Sequence, residues 1–449
     1  MTFAFEPAPP IPAHAVLLFL LQVATLLLVA VVLGRLAERL KMPAIVGELF
    51  TGVLLGPSLL GALAPGFSAW LLPNEASQVH LLDAVGLLGV MLLVGITGAH
   101  LDLGLIRRRG VTAVRISLCG LLLPLGFGIA LSFALPAAIV PDGVSRTVFA
   151  LFLGVAMCVS AIPVIAKTLT DMRLLHRDIG QLTIAAGTVD DAVGWLLLSV
   201  VSAMATIGLS AWQVTRSVLF LVGFVAFAAV LGRPLVSGAL RLAGRSDNRG
   251  TTPAVVAGLM VLGGAVTHLL GLEAVFGAFV VGMIVGRPGV VDPERLAPLR
   301  TVVLSVLAPI FLATAGLRID LTVLGDPTMF LIALAVLAVA ILGKFIGAYL
   351  GAWMSGLNRW EGLALGAGLN ARGVVEVVVA MVGLRVGVLN TTSYTIIVLV
   401  AVVTSLMAPP VLRYAMRRVN QSAEEHARRL AHEAWSTPVY PAAERAGAR

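Results

Sequence analysis

A chain of 449 residues that is 59% hydrophobic and only 12% charged is too poor in charge for a soluble globular protein, where about a quarter of residues are charged; its mean hydropathy of +1.01 points to a polytopic membrane protein. The net charge of +8 comes from 31 Lys and Arg against 23 Asp and Glu, and the loops offer no aromatic or groove-reading partners, which argues against nucleic acid. Cys119 and Cys158 both fall inside apolar runs, so neither a disulfide framework nor a redox compartment can be read from them.

In chain order, thirteen apolar runs follow one another, at roughly 14–34, 43–62, 79–100, 111–135, 147–170, 179–207, 212–232, 252–270, 272–286, 298–316, 327–355, 360–383 and 391–412. A helix needs about 20 residues to cross the hydrocarbon, where backbone polar groups must be satisfied internally. The ninth run is short. The expected fold is an all-α polytopic membrane protein with about 13 transmembrane helices. Residues 1–13 carry no Lys or Arg, so the first run reads as a retained anchor rather than a cleaved signal peptide.

If the N-terminus is outside, the predicted cytoplasmic loops hold 20 Lys and Arg, from Arg35, Arg39 and Lys41 to Arg413, Arg417 and Arg418, and the opposite side holds four, Arg146, Arg216, Arg318 and Arg385. The positive-inside rule reads that asymmetry as N-out, C-in, so the net charge reports topology and lipid headgroups. Residues 1–419 form the expected membrane domain. Residues 420–449, with Glu424, Glu425, Arg428, Arg429 and Glu433 ahead of Pro438 and Pro441, read as a short cytoplasmic tail. No Gly-rich dinucleotide fingerprint follows the last run, so no nucleotide-binding regulatory domain is expected.

The fifth run reads Ala156-Met157-Cys158-Val159-Ser160-Ala161-Ile162-Pro163-Val164. Pro163 cannot donate to the carbonyl four residues back, so the helix should kink or unwind around Val159 to Pro163. Near the middle of the sixth run stand two adjacent aspartates, Asp190 and Asp191. A carboxylate at the bilayer midplane costs roughly 2.5–3.5 kcal/mol, so two in succession need a physical reason, and a moving cation supplies one. In the eleventh run Lys344 is the one lysine not at a predicted cytoplasmic helix end, and a midplane lysine needs a counter-charge. The twelfth run is interrupted by Gly366-Ala367-Gly368-Leu369-Asn370-Ala371-Arg372-Gly373. Runs five and twelve cross in opposite directions, and such a pair of broken helices marks an inverted-repeat transporter with its site at the repeat interface.

Consecutive helix residues point about 100° apart, so the two aspartates divide their work. Thr188, three residues before Asp191, adds a hydroxyl suited to a hard cation that wants oxygen ligands. Asp191 is therefore assigned to the cation, Na+ or K+, and Asp190 to Lys344, with the reverse assignment open. Protonated Asp191 would compete with the cation for the same oxygens. If cation binding also frees Lys344 from Asp190, a second proton leaves, and exchange becomes electrogenic.

The segments Pro43 to Glu48 continuing to Leu55-Gly56-Pro57, Val159 to Lys167, Val189-Asp190-Asp191, Val275 to Phe279 and Asn370 to Glu376 resemble the second family of monovalent cation:proton antiporters. This sodium/hydrogen exchanger class includes bacterial sodium/proton antiporters, Kef-type potassium efflux proteins and plant cation/proton exchangers. The resemblance implies a homodimer in the cell membrane, a core domain carrying the ion against a dimerisation domain, and elevator-like alternating access. It also implies that the second aspartate carries the ion and that Asp-Asp members tend to be electrogenic. His100 departs from the Glu that relatives often carry there. No cofactor and no enzymatic chemistry are implied.

Other polar residues have plainer readings. Glu48 suits either packing near the cytoplasmic face or an ion role, and Arg372 and Glu376, four apart, suit pairing with each other. His268, Glu273 and Asp83 read as outer-surface residues, and Arg115 as snorkelling to headgroups. Two rival functions fit the same scaffold: a sodium-coupled organic-anion symporter, which would not need a midplane lysine beside an aspartate pair, and a non-transporting sensor.

Overall fold

The structure, a computed structural model, describes residues 11–40, 42–73, 75–99, 103–207, 211–245, 248, 250–287, 289–422 and 424–425. The first part of the chain forms α1 (Ala13–Arg39), α2 (Ala44–Leu55), the short α3 (Leu60–Leu63) and α4 (Pro65–Leu71), then α5 (Ala76–Ala99) and α6 (Leu103–Ala134). The fifth run splits into α7 (Arg146–Cys158) and α8 (Ile162–Asp171), and the aspartates ride on α9 (Asp178–Ile207). Next come α10 (Ala211–Phe227), a π-helical segment Ala228–Gly232 and α11 (Arg233–Ala243), then α12 (Thr251–Leu269), α13 (Ala274–Val285), α14 (Pro293–Val302) and α15 (Ala308–Gly316). The chain continues through α16 (Pro327–Trp353), α17 (Arg359–Leu369), α18 (Val374–Arg385) and α19 (Thr391–Met416).

Among the described residues eleven helical segments are long and apolar enough to cross a membrane, and the bent pair α17 and α18 makes twelve. By length and composition alone the expected count of about thirteen is not confirmed at the ninth run. Gly271, at φ 75°, turns the chain after α12, and α13 is left with 12 residues, about 18 Å of helix against about 30 Å of hydrocarbon. α13 runs parallel to α5 in close backbone contact: a Cβ on Gly282 would lie 2.0 Å from the Gly95 carbonyl oxygen, and one on Gly286 would lie 1.9 Å from that of Ala99.

The helices pack as two groups. One holds α6, the broken α7 and α8, α9, α16, the broken α17 and α18, and α19; the other holds α1, α2, α5, α12, α13 and α15. The helix built from α10, the π segment and α11 leans on α9 at one end and on α12 at the other, and so joins them. Apolar surface faces outward all round, with Leu28, Leu63, Trp212, Val230, Leu269 and Trp353 among the most exposed side chains, as a lipid solvent requires.

Candidate cation site at the helix crossing

α7 stops at Cys158 because Val159 and Ala161 are extended, and Pro163 lies in the first turn of α8. There its missing N–H costs nothing and its fixed φ favours the helix, so the proline starts a second helix instead of kinking one. The other break spans Asn370 to Gly373, and α17 and α18 meet at 48°. The breaks touch: the Ala161 N–H donates to the Ala371 carbonyl at 3.1 Å. The Ser160 hydroxyl lies 2.8 Å from both the Leu369 carbonyl oxygen and Asp190 Oδ2. Its single proton serves one of these acceptors at a time.

Around the end of α7 the charges are fully buried. Lys344 Nζ sits 2.7 Å from Asp190 Oδ2 and donates to the Cys158 carbonyl at 2.6 Å. Ser117, on α6, donates to Asp190 Oδ1 at 2.6 Å. Arg372 donates to the Ala156 carbonyl at 3.2 Å and to that of Met157, and pairs with Glu376 at 3.0 Å. Ser405 in turn donates to the Arg372 carbonyl. Two cations from other helices thus take the last carbonyls of α7, where the helix dipole is negative.

Asp191 is different. It is 0% exposed, and neither carboxylate oxygen has a hydrogen-bond partner among the described residues. The Ile162 N–H, the first of α8, lies toward it without a bonded contact. Gly194 and Gly187, on the same helix, let α9 approach the broken helix, since a Cβ on them would lie 2.9 Å from Val159 and 3.2 Å from Ile165. Thr188 donates to the Ile184 carbonyl at 2.8 Å, which leaves its lone pairs available as ligands. Asn370, in the other break, is also fully buried, and neither amide heavy atom has a hydrogen-bond partner among the described residues. Buried orphans of this kind are rare, and carboxylate, amide and hydroxyl oxygens are the donors a hard monovalent cation takes. Among the described residues no cluster of three or more His, Cys, Asp or Glu is present.

Asp190, Lys344, Ser160, Asn370, Arg372 and Glu376 therefore belong to one crossing, with Pro163 at its rim. Glu48 does not join it: its charged neighbours are Glu38 and Lys167. Glu273 is not a solvated surface acid but a buried one, bonded to Ser202 and 2.8 Å from Arg385. Asp83 pairs with Arg318 at 2.5 Å, and Arg115 reaches the Met354 carbonyl at 3.1 Å. Sequence reading missed Ser117 and Ser405, because a lone serine in an apolar helix carries no signal distinguishing it from one bonded to its own backbone. His100 and residues 426–449 lie outside the described residues.

Comparison with known proteins places these features in context. Residues 24–418 match the family described as sodium/hydrogen exchanger, transmembrane. The chain is 30% identical over 403 residues to the Na(+)/H(+) antiporter NhaS4 of Synechocystis, covering 89% of this chain and 97% of that one. It is 31% identical over 406 residues to Cation/H(+) antiporter 17 of Arabidopsis thaliana, of whose length the match covers 48%. In fold it is similar to the sodium proton antiporter MjNhaP1 from Methanocaldococcus jannaschii, at a TM-score of 0.69, 18% identity, 91% coverage of this chain and 100% of that one.

Proposed function

Because the chain belongs to the sodium/hydrogen exchanger family, and so is a multi-pass membrane protein of the cation:proton antiporter kind, we propose that it exchanges a monovalent cation, Na+ or K+, for protons at Asp191. The observation that carries this reading is the fully buried Asp191 carboxylate with no hydrogen-bond partner among the described residues, one residue from an Asp190 held by Lys344, Ser117 and Ser160. A carboxylate cannot stay ionised and unpaired in such a place. It holds a proton or a cation, and the two compete for the same oxygens.

Asn370 and Thr188 supply further oxygens to the cation, and the pairing of Asp190 keeps the second charge from collapsing onto Asp191. Loss of the Asp190 contact on cation binding lets Lys344 give up a second proton, which makes exchange electrogenic. Charge then moves at about 2.3 kcal/mol per elementary charge per 100 mV. The sparse seam between the two helix groups supports elevator-like movement of the α6 to α9 and α16 to α19 group against the other. The further expectations are a homodimer in the cell membrane, with the N-terminus outside and residues 420–449 cytoplasmic.

Purified protein in proteoliposomes, given Na+, K+ and Li+ separately with and without a membrane potential, tests the reading. Proton movement driven by at least one cation is expected. No cation-dependent proton movement under any condition would overturn it.

A further inference from the structure

A cavity of about 260 Å³ opens between α9, the π segment Ala228–Gly232 and α13. Its walls are apolar, with Ala192, Leu196, Phe276 and Phe279 along its length. Arg233 and Arg287 line its polar end. They stand at one level, since Gly232 abuts Ile284, and neither guanidinium has a hydrogen-bond or ion-pair partner among the described residues. That end belongs to the side to which the charge distribution assigns the cytoplasm. An apolar void does not hold water, whereas two unpaired arginines call for an anion they can grip with several N–H donors. A single occupant meets both demands when it carries a hydrocarbon chain and an anionic head.

We propose that this cavity is a binding site for an anionic phospholipid, with one acyl chain lying against Leu196, Phe276 and Phe279 and the phosphate held between Arg233 and Arg287. The π segment shapes it: five residues of wider helix set Ala228 and Ala229 facing the groove. A free phosphate would leave the apolar length unfilled, and a zwitterionic lipid, whose choline returns a positive charge beside its phosphate, would leave the two arginines without net neutralisation. The site occupies the seam between the two helix groups, beside the residue that follows Asp191.

The test reads lipid binding, not transport, so its outcome is independent of the proposed exchange. The purified full-length chain in detergent is titrated with phosphatidylglycerol or phosphatidylcholine and retained lipid is measured by native mass spectrometry. Wild type should favour phosphatidylglycerol by about tenfold or more. Arg233→Gln with Arg287→Gln should remove that preference, and Ala229→Leu, which fills the groove and keeps both charges, should lower retention of the lipid. Millimolar inorganic phosphate should not displace it. Equal retention of the two lipids by wild type, an unchanged preference in the double arginine variant, undiminished retention in Ala229→Leu, or displacement by inorganic phosphate would overturn the proposal.

Discussion

At the scale of single residues, the crossing divides its charges between those that are answered and one that is not. Asp191→Asn keeps the shape and removes the titrating group, so cation-driven proton movement in proteoliposomes should vanish while the melting temperature holds; exchange at the wild-type rate would refute the assignment of Asp191. Lys344 is a different case. Lys344→Gln strands a carboxylate that is 0% exposed, a loss of roughly 3–5 kcal/mol when one partner of a buried pair is removed. The variant should melt well below wild type in detergent, and adding Asp190→Asn should restore part of the loss. Strict additivity of the two single effects would mean that the residues are not energetically coupled. This much was legible in the sequence because intramembrane charges are rare enough to demand partners. Ser117 was not, for its bond to Asp190 depends on how α6 lies against α9, and nothing in the residues around it encodes that.

At the scale of elements, both helix breaks were legible, one from a proline and the other from glycines and an arginine inside an apolar run. What the proline does was less so: its position relative to the helix start decides between a kink and a beginning, and Val159 and Ala161 settle that by adopting extended conformations. The ninth run, already short in the sequence, gives a helix of 12 residues, since hydropathy measures apolar length and not helix length. Its three glycines carry the packing instead. Gly282→Ala would press a methyl group against the Gly95 backbone and should destabilise the protein by about 1–3 kcal/mol or more. Gly258→Ala, on α12 with open space around it, should be neutral or gain up to about 1 kcal/mol. Thermal melting of the two variants in the same detergent checks the contrast, and equal melting points would contradict the close approach of α13 to α5.

At the scale of the whole molecule, two ion pairs link the groups at the far ends of the half-helices α8 and α18. Lys167 pairs with Glu38 at 2.8 Å and Arg385 with Glu273 at 2.8 Å. The first pair is about half exposed on both sides, and such pairs contribute about 0–1 kcal/mol, enough to bias a position and too little to lock it. The orientation of the assembly is testable without any transport measurement. With Cys119 and Cys158 replaced, a cysteine at Asp142 should react with an impermeant thiol reagent applied to intact cells, and one at Arg245 should be shielded. Labelling of Arg245 from outside would invert the topology.

The charge inventory of the crossing also says where in the cycle voltage would act. Lys344 and Arg372 face Asp190, Asp191 and Glu376, which leaves an empty site with one uncompensated negative charge. A proton on Asp191 brings the cluster to neutrality, and so does a bound cation if Lys344 keeps its proton; both loaded forms would then cross unaffected by potential. If Lys344 yields its proton, the cation-loaded form alone is negative and its crossing alone feels the field. Transient currents recorded under cation-only and proton-only gradients should therefore be asymmetric, large on the cation limb and close to absent on the proton limb. While Lys344 keeps its proton the bare cluster is the one charged form and so the least able to cross a hydrocarbon barrier, which would make the exchange obligatory and suppress a leak; once Lys344 yields its proton the cation-loaded form carries the same charge, and net charge no longer separates the two.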